Sequence, residues 1–317
     1  MPEPITGGFL HRMYRMATDH AEYAVKALNP QIMLRATAMN NIITAERAAE
    51  LARSRGVNAL PALLHRGSCM HEVDGQYYLL FPWVQGRTIP AGDAGLEHCT
   101  AMGEVLAAIH TTDFSSLYEE ARREDTAEML QTDWAGYALK GQTMDLPWSG
   151  PLRDSLDKLY RYESLVNASA QVLLGNRIIS HRDLDPKNVL WEDNAQPVII
   201  DWEAAGWIHP AQELIEVALY WSDFESGYIR KEAFCALIGA YRKHGGKTNE
   251  PWTEVLNSGF QGRLGWLDYS IRRSLGLEGP DERERELGTS QVLHTLQALN
   301  DYNEFIPVGL EWLAVAD

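Results

Sequence analysis

Residues 177–207, RIISHRDLDPKNVLWEDNAQPVIIDWEAAGW, decide the fold of this 317-residue chain. NVLW and PVII are short runs of branched and apolar residues, and the polar EDNAQP between them has the composition of a hairpin connection. A loop, strand, turn and second strand would carry both ends of the stretch to one place. Asp183, Asn188 and Asp201 would then converge. Two carboxylates and an amide oxygen form a hard-oxygen cluster suited to Mg²⁺, which also keeps waters and substrate phosphates.

The spacing His181-x-Asp183-x-x-x-x-Asn188 resembles the catalytic loop of the protein-kinase-like fold. Asp201 stands where protein kinases have Asp-Phe-Gly, but here the triplet is Asp201-Trp202-Glu203, followed by Ala-Ala-Gly. The form I-D-W-x-x-A-G is similar to that of the aminoglycoside phosphotransferase and choline kinase group. The resemblance implies an α+β, two-lobe, protein-kinase-like fold. Residues 1–85 would form a nucleotide-binding lobe with a small antiparallel sheet and one helix. Residues 86–317 would form a larger, mainly helical lobe for catalysis and acceptor binding.

Composition sets bounds. The chain is 45% hydrophobic with a net charge of −16, which allows a full core and argues against nucleic acid as a partner. Residues 1–90 hold nine Lys/Arg against seven Asp/Glu, so the acidic excess lies in the remainder. Solubility is one account of it, and attraction of a cationic acceptor is another. Cys69, Cys99 and Cys235 lack metal-ligand spacing and suggest reduced thiols in a cytoplasmic protein. MPEPITGG has no basic stretch leading into an apolar core, so no signal peptide is expected. No run is apolar for long enough to span a bilayer.

Residues 5–29 read as strand, turn, strand, opened by Gly7-Gly8, with DHAE as the turn. No full G-x-G-x-x-G is present, and the pair lies close to the first residue, leaving little chain for a full first strand. By resemblance Gly7 and Gly8 are the nucleotide loop. Within YAVKAL, the V-x-K pattern resembles the kinase third-strand lysine, which makes Lys26 the candidate for the α- and β-phosphates. Residues 36–55 have few breakers and end before Gly56, so a helix is expected. The resemblance asks one glutamate of this helix to tether Lys26. Glu46 and Glu50 lie one turn apart, and Glu46 has the better separation. EVDGQYYLLF predicts a hairpin turning at Asp74-Gly75. PWVQG then corresponds to the hinge, where the Pro82 carbonyl and Val84 amide would meet adenine.

Residues 96–110 predict an apolar helix ending in His110, a structural cap by this reading. DFSSLYEEARREDTAEML and LRDSLDKLYRYESL read as amphipathic helices. After Asp201, PAQELIEVALYWS predicts a helix, and the A-P-E of a protein-kinase activation segment is missing. The rest is helical. Trp221, Trp266, Tyr269, Tyr302 and Trp312 are expected in the core. Asp223, Glu225, Asp268, Asp301 and Glu304 are candidate acidic wall residues for the acceptor.

The implied chemistry is transfer of the ATP γ-phosphoryl group to a hydroxyl of a small molecule. Asp183 would accept a hydrogen bond from the acceptor hydroxyl and either take its proton or orient it, Asn188 and Asp201 would hold Mg²⁺, and His181 would brace the loop. Asp185 and Lys187 follow, and whether Lys187 reaches the γ-phosphate stays open, as does the role of Arg182, where many relatives have glycine. An aminoglycoside-type or other cationic antibiotic is the leading acceptor. Choline, a sugar or homoserine is the alternative, and a catalytically silent nucleotide-binding module is the reading from a different class.

Overall fold

Alternation along residues 12–27 builds the first sheet. The computed structural model describes residues 2–5, 11–90, 92–119, 121, 129–192, 196–223, 229–247, 249–278 and 281–315. By contacts the chain divides into two compact units. The first gathers Met1–Arg123, Ile178–Ile208 and Gly239–Gly246, and the second Glu124–Arg177, His209–Ile238 and Lys247–Asp317.

In the first unit, β1 (Glu3–Ile5), β2 (Arg12–Ala17), β3 (Glu22–Ala27), β4 (Met70–Val73) and β5 (Gln76–Pro82) form one sheet in the order β1-β2-β3-β5-β4. All pairs are antiparallel, and the register sets Met13 opposite Lys26 and Lys26 opposite Leu79. Thr18 closes the β2–β3 turn, its hydroxyl donating to the Ala21 carbonyl at 2.9 Å. Asp74 and Gly75 close the β4–β5 hairpin, both at positive φ (50° and 77°), as a two-residue turn that matches strand twist requires.

A one-turn helix, α1 (Pro30–Met33), leads into α2 (Ala38–Ser54). Alanines at 45, 48, 49 and 52 are buried on α2. They favour helix, and their small side chains permit close packing. The helix stops at Gly56, whose φ of 97° few other residues adopt. Ile42 joins Leu28, Ala62, Leu79 and Phe81 in the core under the sheet. Further along, α3 (Leu96–Thr111) packs against β6 (Ile178–Ser180), which pairs with β9 (Gly206–Ile208).

The hairpin expected around residue 190 is present but minimal. β7 (Val189–Leu190) and β8 (Val198–Ile199) are two residues each, and Asn188 ends a 3-10 turn that precedes the strand. The tip, 193–195, lies outside the described residues. Short strands need outside support, and two segments supply it. Ile199 donates to the Asn58 carbonyl and accepts from the Leu60 amide, both at 2.9 Å. Arg87 and Trp191 exchange a reciprocal pair of backbone bonds at 3.1 and 2.9 Å.

In the second unit, α4 (Trp134–Thr143), α5 (Ser149–Asp154), α6 (Leu156–Leu173), α7 (Pro210–Trp221), α8 (Lys231–Lys243), α9 (Trp252–Ser258), α10 (Phe260–Ser274) and α11 (Glu282–Val315) follow one another, with α8 from Gly239 onward counted in the first unit. Tyr162 stacks on Phe260 at 4.1 Å between centroids, and the buried Tyr302 donates to the Leu256 carbonyl at 2.6 Å. Trp221 and Tyr302 are core residues as expected, whereas Trp266 and Tyr269 are exposed on one face of α10. Of the helix expected over 113–130, the described part holds a 3-10 turn, Ser115–Leu117, and 120 and 122–128 lie outside the described residues. Among the described residues no helix is long and apolar enough to cross a membrane.

Gly86 shows how tightly the β7–β8 hairpin is held. A Cβ there would come to 2.9 Å from Leu190 Cβ and 3.4 Å from the Trp191 backbone. Gly86→Ala is therefore expected to lower stability by about 1–3 kcal/mol, read by urea denaturation. A change below a few tenths of a kcal/mol would contradict this packing.

Candidate functional site

The polar residues of residues 177–207 meet the face of the sheet that carries Lys26, all within the first unit. His181 is fully buried and fixes the loop. Its Nε2 lies 3.0 Å from the Ile200 carbonyl, and its Nδ1 accepts from the Asp183 amide at 3.2 Å. Two good bonds of these types require the neutral imidazole with the proton on Nε2. The ring also meets Trp202 edge-on at 4.8 Å.

The structure joins Asp183 to Asn188 and ties the residue before Asp201 to the Asn188 backbone. The Asn188 amide nitrogen donates to both the carbonyl and the carboxylate of Asp183, each at 2.8 Å. The Asn188 carbonyl accepts from the Ile200 amide at 3.0 Å, one residue before Asp201. Asp201 itself sits at φ 58°, ψ 63°, and Arg182 at φ 68°. Left-handed non-glycine residues of this kind cluster at functional sites. Glycine would adopt the backbone at 182 without strain. Arg182 fits by laying its side chain against Gly206, where a Cβ would lie 2.9 Å from its Nη1.

Lys26 reaches Asp201 Oδ1 at 2.7 Å and Glu203 Oε2 at 2.5 Å. Burial alone would lower its pKa, but the two carboxylates outweigh it and raise it. The lysine is thus tethered by Asp201 and Glu203, and the expected ion pair with Glu46 is not made. Glu46 instead accepts from the Ala62 amide at 2.6 Å behind the site. Burial pushes its carboxyl up to about 7, against the opposing pull of the Ala62 bond and the Lys26 charge. Of the two helix glutamates, Glu46 is the one facing inward. Glu50 is half exposed and pairs with Arg53 at 2.8 Å.

Two residues were not singled out from sequence, Glu203 and His11. Burial tends to raise the Glu203 carboxyl, but the His11 hydrogen bond and the Lys26 ammonium hold it at about 2. His11 Nε2 is 3.2 Å from Glu203, and its Nδ1 accepts from the Asn29 amide at 2.9 Å. Strand parity offered the signal, since His11 and Met13 share a face and Met13 lies opposite Lys26. Gly7 and Gly8, just before this point, lie outside the described residues.

Beside Asp183, Lys187 is 3.4 Å from its Oδ1 and 3.2 Å from Asp185 Oδ2, with most of its own side chain in solvent. Burial raises the Asp183 pKa, and Lys187 opposes the shift. Pro82 ends β5 opposite Tyr23. Trp83 donates to the Glu22 carbonyl at 3.0 Å, and Val84 follows.

The donor set fits a hard cation. Asn188 spends its amide N–H groups on Asp183, which leaves its oxygen as an acceptor, and Asp201 keeps a second carboxylate oxygen beyond the one that Lys26 takes. Among the described residues no group of three or more His, Cys, Asp or Glu is arranged to hold a metal. A Mg²⁺ here would therefore depend on phosphate and water oxygens for the rest of its shell.

Of the acidic wall candidates, Asp223 is committed to Arg230 at 2.6 Å and Asp268 accepts from the Tyr137 hydroxyl at 2.8 Å. Asp301 takes an amide bond from Gln297 at 2.7 Å, Glu304 is exposed, and Glu225 lies outside the described residues. His110 lies in the last turn of α3 with Nδ1 at 2.8 Å from the Tyr241 hydroxyl, a structural placement.

The model of the phosphotransferase enzyme family matches residues 2–246. No curated protein matches the sequence. Among solved structures, a spectinomycin phosphotransferase in complex with ADP and spectinomycin aligns with TM-score 0.69 at 12% identity, covering 95% of this chain and 93% of that one. An ethanolamine kinase of Plasmodium vivax aligns with TM-score 0.61 at 12% identity, covering 93% and 81%. A choline kinase of Cryptosporidium parvum aligns with TM-score 0.56 at 12% identity, covering 99% and 93%. At such identities the likeness carries the fold, and it is the α+β kinase-like fold expected from the motif.

Glu46 generates a pH test. Its folded pKa of about 7 lies above the ordinary 4.5, so the folded state holds this proton more tightly than the unfolded chain. The stability it contributes is full below 4.5 and lost as pH rises through 7. At about 1.4 kcal/mol per tenfold, the span amounts to about 3 kcal/mol. Denaturation of the wild type between pH 5 and pH 8 should show most of this fall. Glu46→Gln, which keeps the acceptor for Ala62, should flatten it, and an unchanged slope would refute the assignment.

Proposed function

The chain belongs to the phosphotransferase enzyme family, and from that premise we propose that it moves the γ-phosphoryl group of ATP to a hydroxyl of a small cationic molecule, of which an aminoglycoside-type antibiotic is the first choice. The observation that carries the reading is the convergence of Asp183, Asn188 and Asp201 beside Lys26. Residues 1–85 serve the nucleotide in this reading, and residues 86–317 serve catalysis and the acceptor.

Phosphoryl transfer rests on positioning and charge neutralisation more than on covalent chemistry. Lys26 places a cation for the α- and β-phosphates, and Asp201 and Glu203 hold it in position. Pro82 offers a carbonyl and Val84 an amide to the base. The acceptor oxygen attacks the γ-phosphorus as the bond to the β–γ bridging oxygen breaks. Its proton passes to Asp183, whose raised pKa suits a proton acceptor. Asn188 steadies Asp183 through two hydrogen bonds, and Lys187 balances its charge. Asn188 and Asp201 would hold a Mg²⁺, which when bound would supply charge neutralisation at the phosphates.

Two facts support a cationic acceptor. The net charge is −16, with the acidic excess beyond residue 90. The kinases of similar fold named above include ones for ethanolamine and choline, both of which are cations at neutral pH.

An ATP-consumption screen over aminoglycosides, amino alcohols, sugars and homoserine tests the acceptor. Turnover confined to neutral sugars would overturn the cationic choice. Asp183→Ala should lower transfer by several orders of magnitude while nucleotide still binds, and undiminished turnover would refute its role. Asp201→Ala should weaken Mg-ATP binding in calorimetry, and the same affinity with and without metal in the wild type would contradict the metal assignment.

A further inference from the structure

Arg15 lies on the sheet face that carries Lys26, two residues nearer the Pro82–Val84 segment. The register sets it opposite Ala24, and Ala24 opposite Phe81. At the rise of a strand this places it about 7 Å along from Lys26, in the direction from phosphate to base. Its guanidinium is held in one orientation by two partners. One nitrogen donates to Glu22 at 2.6 Å, and the central carbon Cζ lies over the Trp83 ring, 4.6 Å from its centroid. Glu22 is fixed in turn, since Gln85 donates to its other oxygen at 3.3 Å and its carbonyl accepts from Trp83. Among the described residues Trp83 is the only ring on Arg15.

We propose that Arg15 closes the base end of the nucleotide pocket, with its planar guanidinium stacking on the purine, and that Glu22 is the positioning residue that sets its plane. The inference rests on the nucleotide reading of Lys26, Pro82 and Val84. A guanidinium is flat, permanently charged and weakly hydrated, so it stacks on an electron-rich ring where a lysine ammonium does not. Stacking of this kind tolerates any purine face, so Arg15 supplies affinity for the base while the backbone at Pro82 and Val84 discriminates among bases.

The test compares Mg-ATP with Mg-tripolyphosphate, which has the charge but no base, by calorimetry on the full chain. Arg15→Ala should bind Mg-ATP roughly tenfold more weakly and Mg-tripolyphosphate as the wild type does. Arg15→Lys, which keeps charge without the plane, should recover less than half of the loss. Unchanged Mg-ATP affinity in Arg15→Ala overturns the proposal. Equal losses for both ligands, or full recovery by lysine, would make charge the cause and also overturn it. Lys26→Ala should weaken both ligands. A wild type that binds Mg-tripolyphosphate but gains nothing from the base refutes the stack alone, whereas a wild type that binds neither ligand refutes the nucleotide reading and the stack together.

Discussion

The Lys26 ammonium, buried between the Asp201 and Glu203 carboxylates, is the interaction on which the rest of the site depends. A buried cation is tolerated when it is paired and hydrogen-bonded, and here both partners come from one short turn, residues 201–203. The pairing joins β3 to the end of the β7–β8 hairpin across some 175 residues of chain. Removing the lysine would leave Asp201 and Glu203 close together with Glu46 near by, and the three acids would repel. His11 extends the arrangement by holding the outer side of Glu203. The lysine therefore has a structural task that any role in holding phosphates must coexist with.

A second constraint is conformational. Arg182 and Asp201 flank the buried His181, which bonds to the carbonyl of Ile200, and both adopt left-handed backbone. Such residues cost of order 1–3 kcal/mol each and persist only where surroundings impose them. The imposed elements are visible. His181 is locked into one tautomer, Trp202 packs on its ring, and the loop is held between the three-residue β6 and the two-residue β7.

Much of this was legible in the sequence. The spacing from His181 to Asp201 fixed which side chains meet, because hairpin geometry leaves few alternatives. The β2–β3 and β4–β5 hairpins and α2 follow from alternation, turn residues and helix formers. What sequence could not give was the partner of Lys26. The choice between Glu46 and the pair Asp201–Glu203 depends on how far α2 stands from the sheet, and the Ala62 amide captures Glu46 through an intervening loop that no periodicity describes. His11 escaped because its parity with Met13 marks a face of the sheet but does not name Glu203 as its partner. Trp266 and Tyr269 misled because aromatic residues at helical spacing mark a core only when something covers that face.

The backbone bonds from Asn58 and Leu60 to Ile199 have a mechanical meaning. The loop leaving α2 forms an extra rung beside β8, two residues before Asp201, and Glu46 on the same helix clasps Ala62 just beyond that rung. Helix, loop and β8 thus make one rigid lever. A device that switched this protein by swinging the helix alone would have to tear that rung, so the helix is a poor place for a regulatory hand to push.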